Sequence, residues 1–226
     1  MKTFPHPEVT KNLLVADMIA HREADDFIRG TYGHRDGDDF RGCAVGCSIH
    51  TINRVRGTTH HISDHSALAD ETGAPEWLFW LQDRIFENLP EPDFKEWPLR
   101  FWQTFPEGVD LQPALAPILT RILREIALPA VGVDEWGVKD AIEAVCAAIE
   151  SGDKERIQAA ARAAAHAHAS AYAAAYAVAY AAVYAAAAAR AAARAAASVY
   201  AVAAARRQIA DIVCEEIARC GEGDLK

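Results

Sequence analysis

Residues 171–190 read AYAAAYAVAYAAVYAAAAAR, and the fold class turns on that stretch. It sits inside a longer run, Lys154 to Cys220, that contains neither glycine nor proline. Alanine has the highest intrinsic helix propensity, so the whole run is predicted to be helical. At a rise of 1.5 Å per residue, one unbroken helix of this length measures roughly 100 Å. A compact chain of this size is only about 45 Å across. The run therefore either projects from the body as one helix or folds back as a helical hairpin. Ser198 and the segment His166-Ala167-His168-Ala169-Ser170 are its weakest points.

Within the run, Tyr172, Tyr176, Tyr180 and Tyr184 recur every four residues. Each step turns about 400°, so they form a slowly spiralling aromatic ridge with smooth alanine faces beside it. Two readings stand: tyrosines and alanines packed in a helical bundle, or a face for a protein partner or for self-association, a homodimer included. An ice-binding face, which needs regularly spaced threonines or a flat alanine face, is disfavoured by the absence of any threonine from the run. Ala169 to Ala189 carries no charge and has the length of a bilayer span. Alanine is a weak membrane former and tyrosine favours the interface, so the expectation is packing on other helices and no membrane span.

Working back towards the start of the chain, apolar residues at helical spacing predict a helix from Thr10 to Arg29. A polar, glycine-punctuated loop follows to Arg41, then a helix of small residues from Gly42. Pro75 opens a helix with the stripe Trp77, Leu78, Trp80, Leu81, Ile85 and Phe86, which Pro90 and Pro92 stop. A short aromatic helix around Phe94, Trp97, Phe101 and Trp102 comes next. Asp110 caps a helix through Ile126 that Pro129 closes, and Asp134 caps another through Ile149. No strand or hairpin is expected. The prediction is an all-α helical bundle of six or so helices. Residues 1–152 form a helical part bearing a Cys/His motif, and residues 153–226 form the long alanine-rich segment packed on it.

The chain has 226 residues, a net charge of −9 and 51% hydrophobic residues, many of them alanine. An acidic balance argues against a general nucleic-acid binder. The N-terminus lacks the apolar core of an export signal, so the protein is read as cytoplasmic. Its five cysteines are then free thiols or metal ligands rather than a disulfide framework.

Cys43, Cys47 and His50 are spaced i, i+4, i+7, which puts them on one helix face. With His61 or His65 from the loop beyond, they supply four ligands of the kinds zinc prefers. The cofactor expectation is thus zinc or none, because the spacing differs from the tight C-x2-C pair of zinc ribbons. A thiol enzyme is the second possibility: Cys43 or Cys47 as nucleophile, His50 or His61 as base, Asp64 or Asp70 to orient it. The third is packing, since Gly42 and Gly46 let another backbone approach and a buried cysteine behaves as a small hydrophobe. Asp36-Gly37-Asp38-Asp39 lacks the spacing of a calcium loop and reads as a solvated turn. Glu76, Asp83 and Glu87 read as a solvated or salt-bridged carboxylate face on the tryptophan-bearing helix.

Gly42-Cys43-Ala44-Val45-Gly46-Cys47-Ser48-Ile49-His50, then Gly73-Ala74-Pro75-Glu76-Trp77-Leu78 and Asp83-Arg84-Ile85-Phe86-Glu87-Asn88-Leu89, resemble a group of bacterial and phage proteins of no known function. Members often carry a variable alanine-rich C-terminal half. The resemblance covers roughly residues 20 to 110 and implies a cytoplasmic protein, with a counter-defence or host-regulating role as an expectation. The leading expectation is a non-enzymatic binding or regulatory protein that acts through helical surfaces. The metal- or thiol-dependent enzyme centred on Cys43, Cys47 and His50 is the alternative.

Overall fold

The first helix, α1, runs Lys11–Glu23 and starts where the Thr10 hydroxyl accepts a hydrogen bond from the Leu13 N–H at 3.1 Å. These observations come from a computed structural model that describes residues 1–36, 39–131, 138–153, 155–156 and 198–223. The helix ends six residues before the expected Arg29. Asp25 turns out of it at φ +59°, and Phe27 pairs with Gly42. The N–H of Ile28 then bonds to the Gly42 carbonyl (3.0 Å) and that of Gly42 to the Asp26 carbonyl (3.1 Å). Tertiary partners thus replace the intrahelical ones.

The loop expected to lack strands contains a small antiparallel pair, β1 (His34–Asp36) and β2 (Asp39–Arg41), with Arg35 opposite Phe40. No apolar alternation announces it. Phe40 is buried and stacked on His50, ring centroids 4.3 Å apart, which holds the ribbon down. Otherwise the fold is all-α, as the sequence predicts.

Helix α2 (Ala44–Arg56) starts at Cys43 and ends at Gly57, whose φ of +66° suits glycine. Helix α3 (His65–Thr72) is capped by Asp64, whose side chain accepts from the Ala67 N–H, and ends at Gly73. Helices α4 (Glu76–Asn88) and α5 (Asp93–Thr104) follow. Phe79, Phe86, Trp97, Phe101, Trp102 and Phe105 are fully buried here. The Trp102 and Phe105 centroids lie 4.8 Å apart. The buried indoles keep partners: Trp97 donates to the Gln82 carbonyl (3.2 Å) and Trp102 to the Ser48 hydroxyl (3.1 Å). The stripe on α4 is half as expected: Trp77 and Leu81 are only half-buried, and Phe79, outside the expected stripe, is buried. Leu78, Phe79, Ile85 and Phe86 are buried, but Trp80 is 46% exposed.

The chain divides into two compact units, residues 1–114 with 214–226, and residues 115–213. In the first, Gly221 near the end of the last helix faces Pro106, where an added Cβ would sit 2.7 Å from the proline ring. In the second, α6 (Leu115–Ile122) leads into a π-helical turn, Leu123–Ala127, and then α7 (Leu128–Ala130). Pro129 does not close this helix at its own position. The Leu128 N–H bonds back to the Leu123 carbonyl, and the widened turn carries the chain on through a residue that has no N–H to donate. Helix α8 (Val138–Ser151) follows, and Leu123, Ile142, Val145 and Cys146 share a small core. Arg124 pairs with Glu143 (3.1 Å) and with Glu150. The last helix, α9, is Ser198–Glu222.

Tyr172, Tyr176, Tyr180, Tyr184, the choice between straight helix and hairpin, and the expected cap Asp134 all lie outside the described residues. Among the described residues, no helix is long and apolar enough to cross a membrane.

Candidate functional site

Cys43 precedes α2 in extended conformation, and its Sγ accepts from the Gly46 N–H at 3.5 Å. The loop carrying Tyr32 can lie against this point only because residues 42 and 46 are glycines. A Cβ on Gly42 would sit 2.3 Å from the Tyr32 carbonyl oxygen, and one on Gly46 closer still. The expectation that these glycines admit another backbone is met, and the backbone is that of Tyr32.

Seated there, Tyr32 directs its hydroxyl to Asp83 Oδ2 at 3.4 Å and its ring edge-on to His65, centroids 5.6 Å apart. His65 opens α3, is 2% exposed, and stacks flat on Trp80 at 3.7 Å. Trp80 is held in turn by a hydrogen bond from its indole N–H to Glu76 Oε1 at 3.0 Å. The Nε2 of His65 lies 4.0 Å from Asp83 Oδ2. Asp83 on α4 is thus the common neighbour of Tyr32 in the 30–33 loop, of Cys43 just before α2 and of His65 on α3, and this is the candidate site.

Burial dominates its electrostatics. Asp83 is raised above the usual carboxylate range by desolvation, offset in part by the charge of His65 and a hydrogen bond from Cys43. Burial pushes the Cys43 thiol up to about 12, and the Asp83 charge adds to it against the Gly46 N–H. Tyr32 is likewise pushed up to about 12 by burial and by Asp83. His65 is lowered by burial, which outweighs its bond to the Ser63 carbonyl and the pull of Asp83. At neutral pH the site holds a thiol, a phenol and a neutral imidazole around one carboxyl group.

The residues predicted as metal ligands go to separate places. Cys47 is fully buried, directs its Sγ to the Gly42 carbonyl at 3.7 Å, and is raised well above the usual thiol range by burial. His50 stacks on Phe40. His61 is exposed and bonded to Ser63 Oγ at 2.8 Å. Only Cys43 and His65 of that set adjoin Asp83. Among the described residues no group of three or more His, Cys, Asp or Glu is placed to hold a metal ion. Of the residues proposed to orient a base, Asp64 caps α3 and Asp70 is exposed on it. Cys43 stands before the helix rather than on it, and Cys47 and His50 meet different neighbours.

The sequence alone does not point to Tyr32 or Trp80 as site residues. Tyr32 reaches Asp83 across 51 positions, which no local pattern encodes. A second charged centre lies nearby. His21 places Nε2 3.2 Å from Asp17 Oδ2 and Nδ1 3.4 Å from Asp26 Oδ2. Arg54 (2.8 Å) and Thr51 complete the shell of Asp17.

No protein-family model, curated protein or solved structure matches the chain.

Proposed function

We propose that this chain is a non-enzymatic binding protein that acts in the cytoplasm through contacts with another protein, and that Trp80 is the centre of its contact face. The observation that carries the reading is the state of that side chain. Trp80 is 46% exposed, yet its ring is fixed by the stack on His65 at 3.7 Å and the bond to Glu76 at 3.0 Å. An aromatic side chain held rigid in solvent binds a partner with little loss of rotamer entropy, and such residues dominate binding energy at interfaces. The state of the thiols points the same way: Cys43 is 1% exposed and protonated at neutral pH, which is the condition of an inert cysteine.

The test is paired affinity purification with the wild type and Trp80→Ala, quantified by mass spectrometry. A partner recovered with the wild type and lost with the variant supports the reading, provided both proteins melt alike. Identical recoveries overturn it.

One observation favours a thiol enzyme instead, namely Cys43 at the N-terminus of a 13-residue helix beside the Asp83 carboxyl group, which also has His65 Nε2 at 4.0 Å. In that reading Cys43 is the thiol and His65, reached through Asp83, stands where the sequence offers His50 or His61 as base. A Cys43→Ser variant that folds and retains all activity in a cellular assay removes this alternative.

A further inference from the structure

His21, in the last turn of α1, stands between two carboxylates. Its ring is buried, with Nε2 3.2 Å from Asp17 Oδ2 and Nδ1 3.4 Å from Asp26 Oδ2. Both ring nitrogens thus face acceptors, and only the imidazolium has a proton for each. Burial disfavours that charge, but the bonds and charges of Asp17 and Asp26 outweigh it and raise His21 above 6.5. The charge is lost as pH rises through the raised value. Other charged groups surround the pair. From α2, Arg54 and the Thr51 hydroxyl hold Asp17, the His50 ring lies 6.5 Å from that of His21, and the Cys47 thiol lies within the field of both carboxylates. From β2, Arg41 approaches Asp26 at 3.7 Å. From α5, Lys95 pairs with Asp25 and Glu96 with Arg22.

The two carboxylates are unequally held. Asp17 has Thr51 and Arg54 besides His21, whereas the cation that approaches Asp26 is the half-exposed Arg41. A neutral His21 has one proton to give, and Nε2 is the nitrogen nearer to the better-fixed acceptor. It therefore keeps Asp17 and turns a lone pair on Nδ1 towards Asp26, which makes that contact repulsive.

Asp26 is the root of the arm that carries Tyr32. Its carbonyl accepts from the Gly42 N–H (3.1 Å), the Gly42 carbonyl accepts from the Ile28 N–H (3.0 Å), and the Thr31 carbonyl accepts from the Cys43 N–H (3.2 Å). Tyr32 follows, with its carbonyl against Gly42 and Gly46 and its hydroxyl directed to Asp83. The turn that leads into the arm holds Asp25 at φ +59°, a conformation that costs a residue with a side chain energy and persists when its surroundings fix it.

We propose that His21 is a proton-operated latch on the arm 26–32: as the cation it ties Asp26 to α1 and seats Tyr32 at Asp83, and on losing its proton it lets Asp26 and the arm open. The latch goes beyond the reading of Trp80 as a contact residue and does not depend on it.

The test is amide hydrogen exchange of the full chain, followed residue by residue by NMR from about pH 6 to about pH 9, with each rate divided by that of an unfolded peptide at the same pH. The amides of Ile28, Gly42 and Cys43 are expected to exchange through an opening of their own, less protected than those of Ile85 and Phe86 on α4. Their protection should fall at least about threefold across the range. His21→Gln, which takes up no proton, should flatten this dependence. Asp26→Asn should flatten it too while leaving the His21 ring packed on Phe27, which separates the charge from the packing. Arm amides that share the protection of Ile85 and Phe86, or a fall with pH that persists in either variant, overturn the latch.

Discussion

A methyl group added to Gly46 would sit 1.6 Å from the carbonyl oxygen of Tyr32, deep inside van der Waals contact with the main chain of another segment. Backbone cannot swing aside as the end of a side chain does. Gly46→Ala is therefore expected to cost at least about 3 kcal/mol, despite alanine being the better helix former. Urea denaturation followed by circular dichroism measures it. A midpoint equal to the wild type would mean that the Tyr32 loop is not seated on α2.

The pH dependence of stability has two sides around His21. Burial opposes its charge, but Asp17 and Asp26 outweigh that and raise it above 6.5. The stabilisation it gives is complete below the unfolded value and is lost as pH rises through the higher folded value. Asp17 runs the other way. Burial is outweighed by the bonds from His21 and Thr51 and the charge of Arg54, which hold it below 3.8. Its contribution is present above that value and fades as pH falls through the lowered one. The stability gap between wild type and His21→Gln should be wide at slightly acidic pH and narrow on the alkaline side. Denaturation midpoints across the range decide it, and a gap that widens with pH contradicts the assignment.

Thiol chemistry separates the binding and enzyme readings. With Cys43 pushed up to about 12, its thiolate fraction at pH 8 is on the order of one in ten thousand. Iodoacetamide should leave Cys43 and Cys47 unmodified in the native protein over times that fully label all five cysteines in urea. Intact-mass and peptide mapping read this directly. Rapid native labelling of Cys43 would favour the enzyme.

Gln82 is fully buried on α4, and neither its side-chain oxygen nor its nitrogen has a hydrogen-bond partner. Its backbone carbonyl, which serves Trp97, is indifferent to the side chain. Gln82→Met keeps the length and removes the unpaired amide, so it should stabilise the protein by about 1 kcal/mol. A loss of stability in thermal melts would show that the amide has a role in the core.

The sequence spoke clearly wherever the decisive contacts are local. Thr10 marks the start of α1 and Pro75 that of α4 by their own chemistry, and the buried part of the α4 stripe follows from its period, whereas α3, bounded by Asp64 and Gly73, falls in a stretch the sequence reads as a polar connection. It was silent where partners are distant. The ribbon at residues 34–41 rests on Phe40 meeting His50, and α1 stops early because Asp26 and Ile28 bond to Gly42. Of the candidate site, Cys43 and His65 were legible as chemically capable residues and Asp83 as one carboxylate on a helix. Their convergence depends on Tyr32 being admitted by two glycines, a tertiary fact. Trp80 looked like core because hydrophobicity alone cannot tell a packed ring from one stacked on a histidine at the surface.

The first unit is assembled from two stretches of chain, residues 1–114 and the stretch from Cys214 on, with the second unit encoded between them. Order of synthesis therefore becomes part of how it folds. At about 5–20 residues per second, roughly 5–20 s separate the emergence of Ala114 from that of Cys214. Throughout that interval the aromatic helices of the first unit wait on the ribosome without their closing piece, and the surface around Pro106 that later receives Gly221 stays open. A nascent chain arrested before residue 214 leaves that surface open, and the unit closes only once the final helix has left the ribosome.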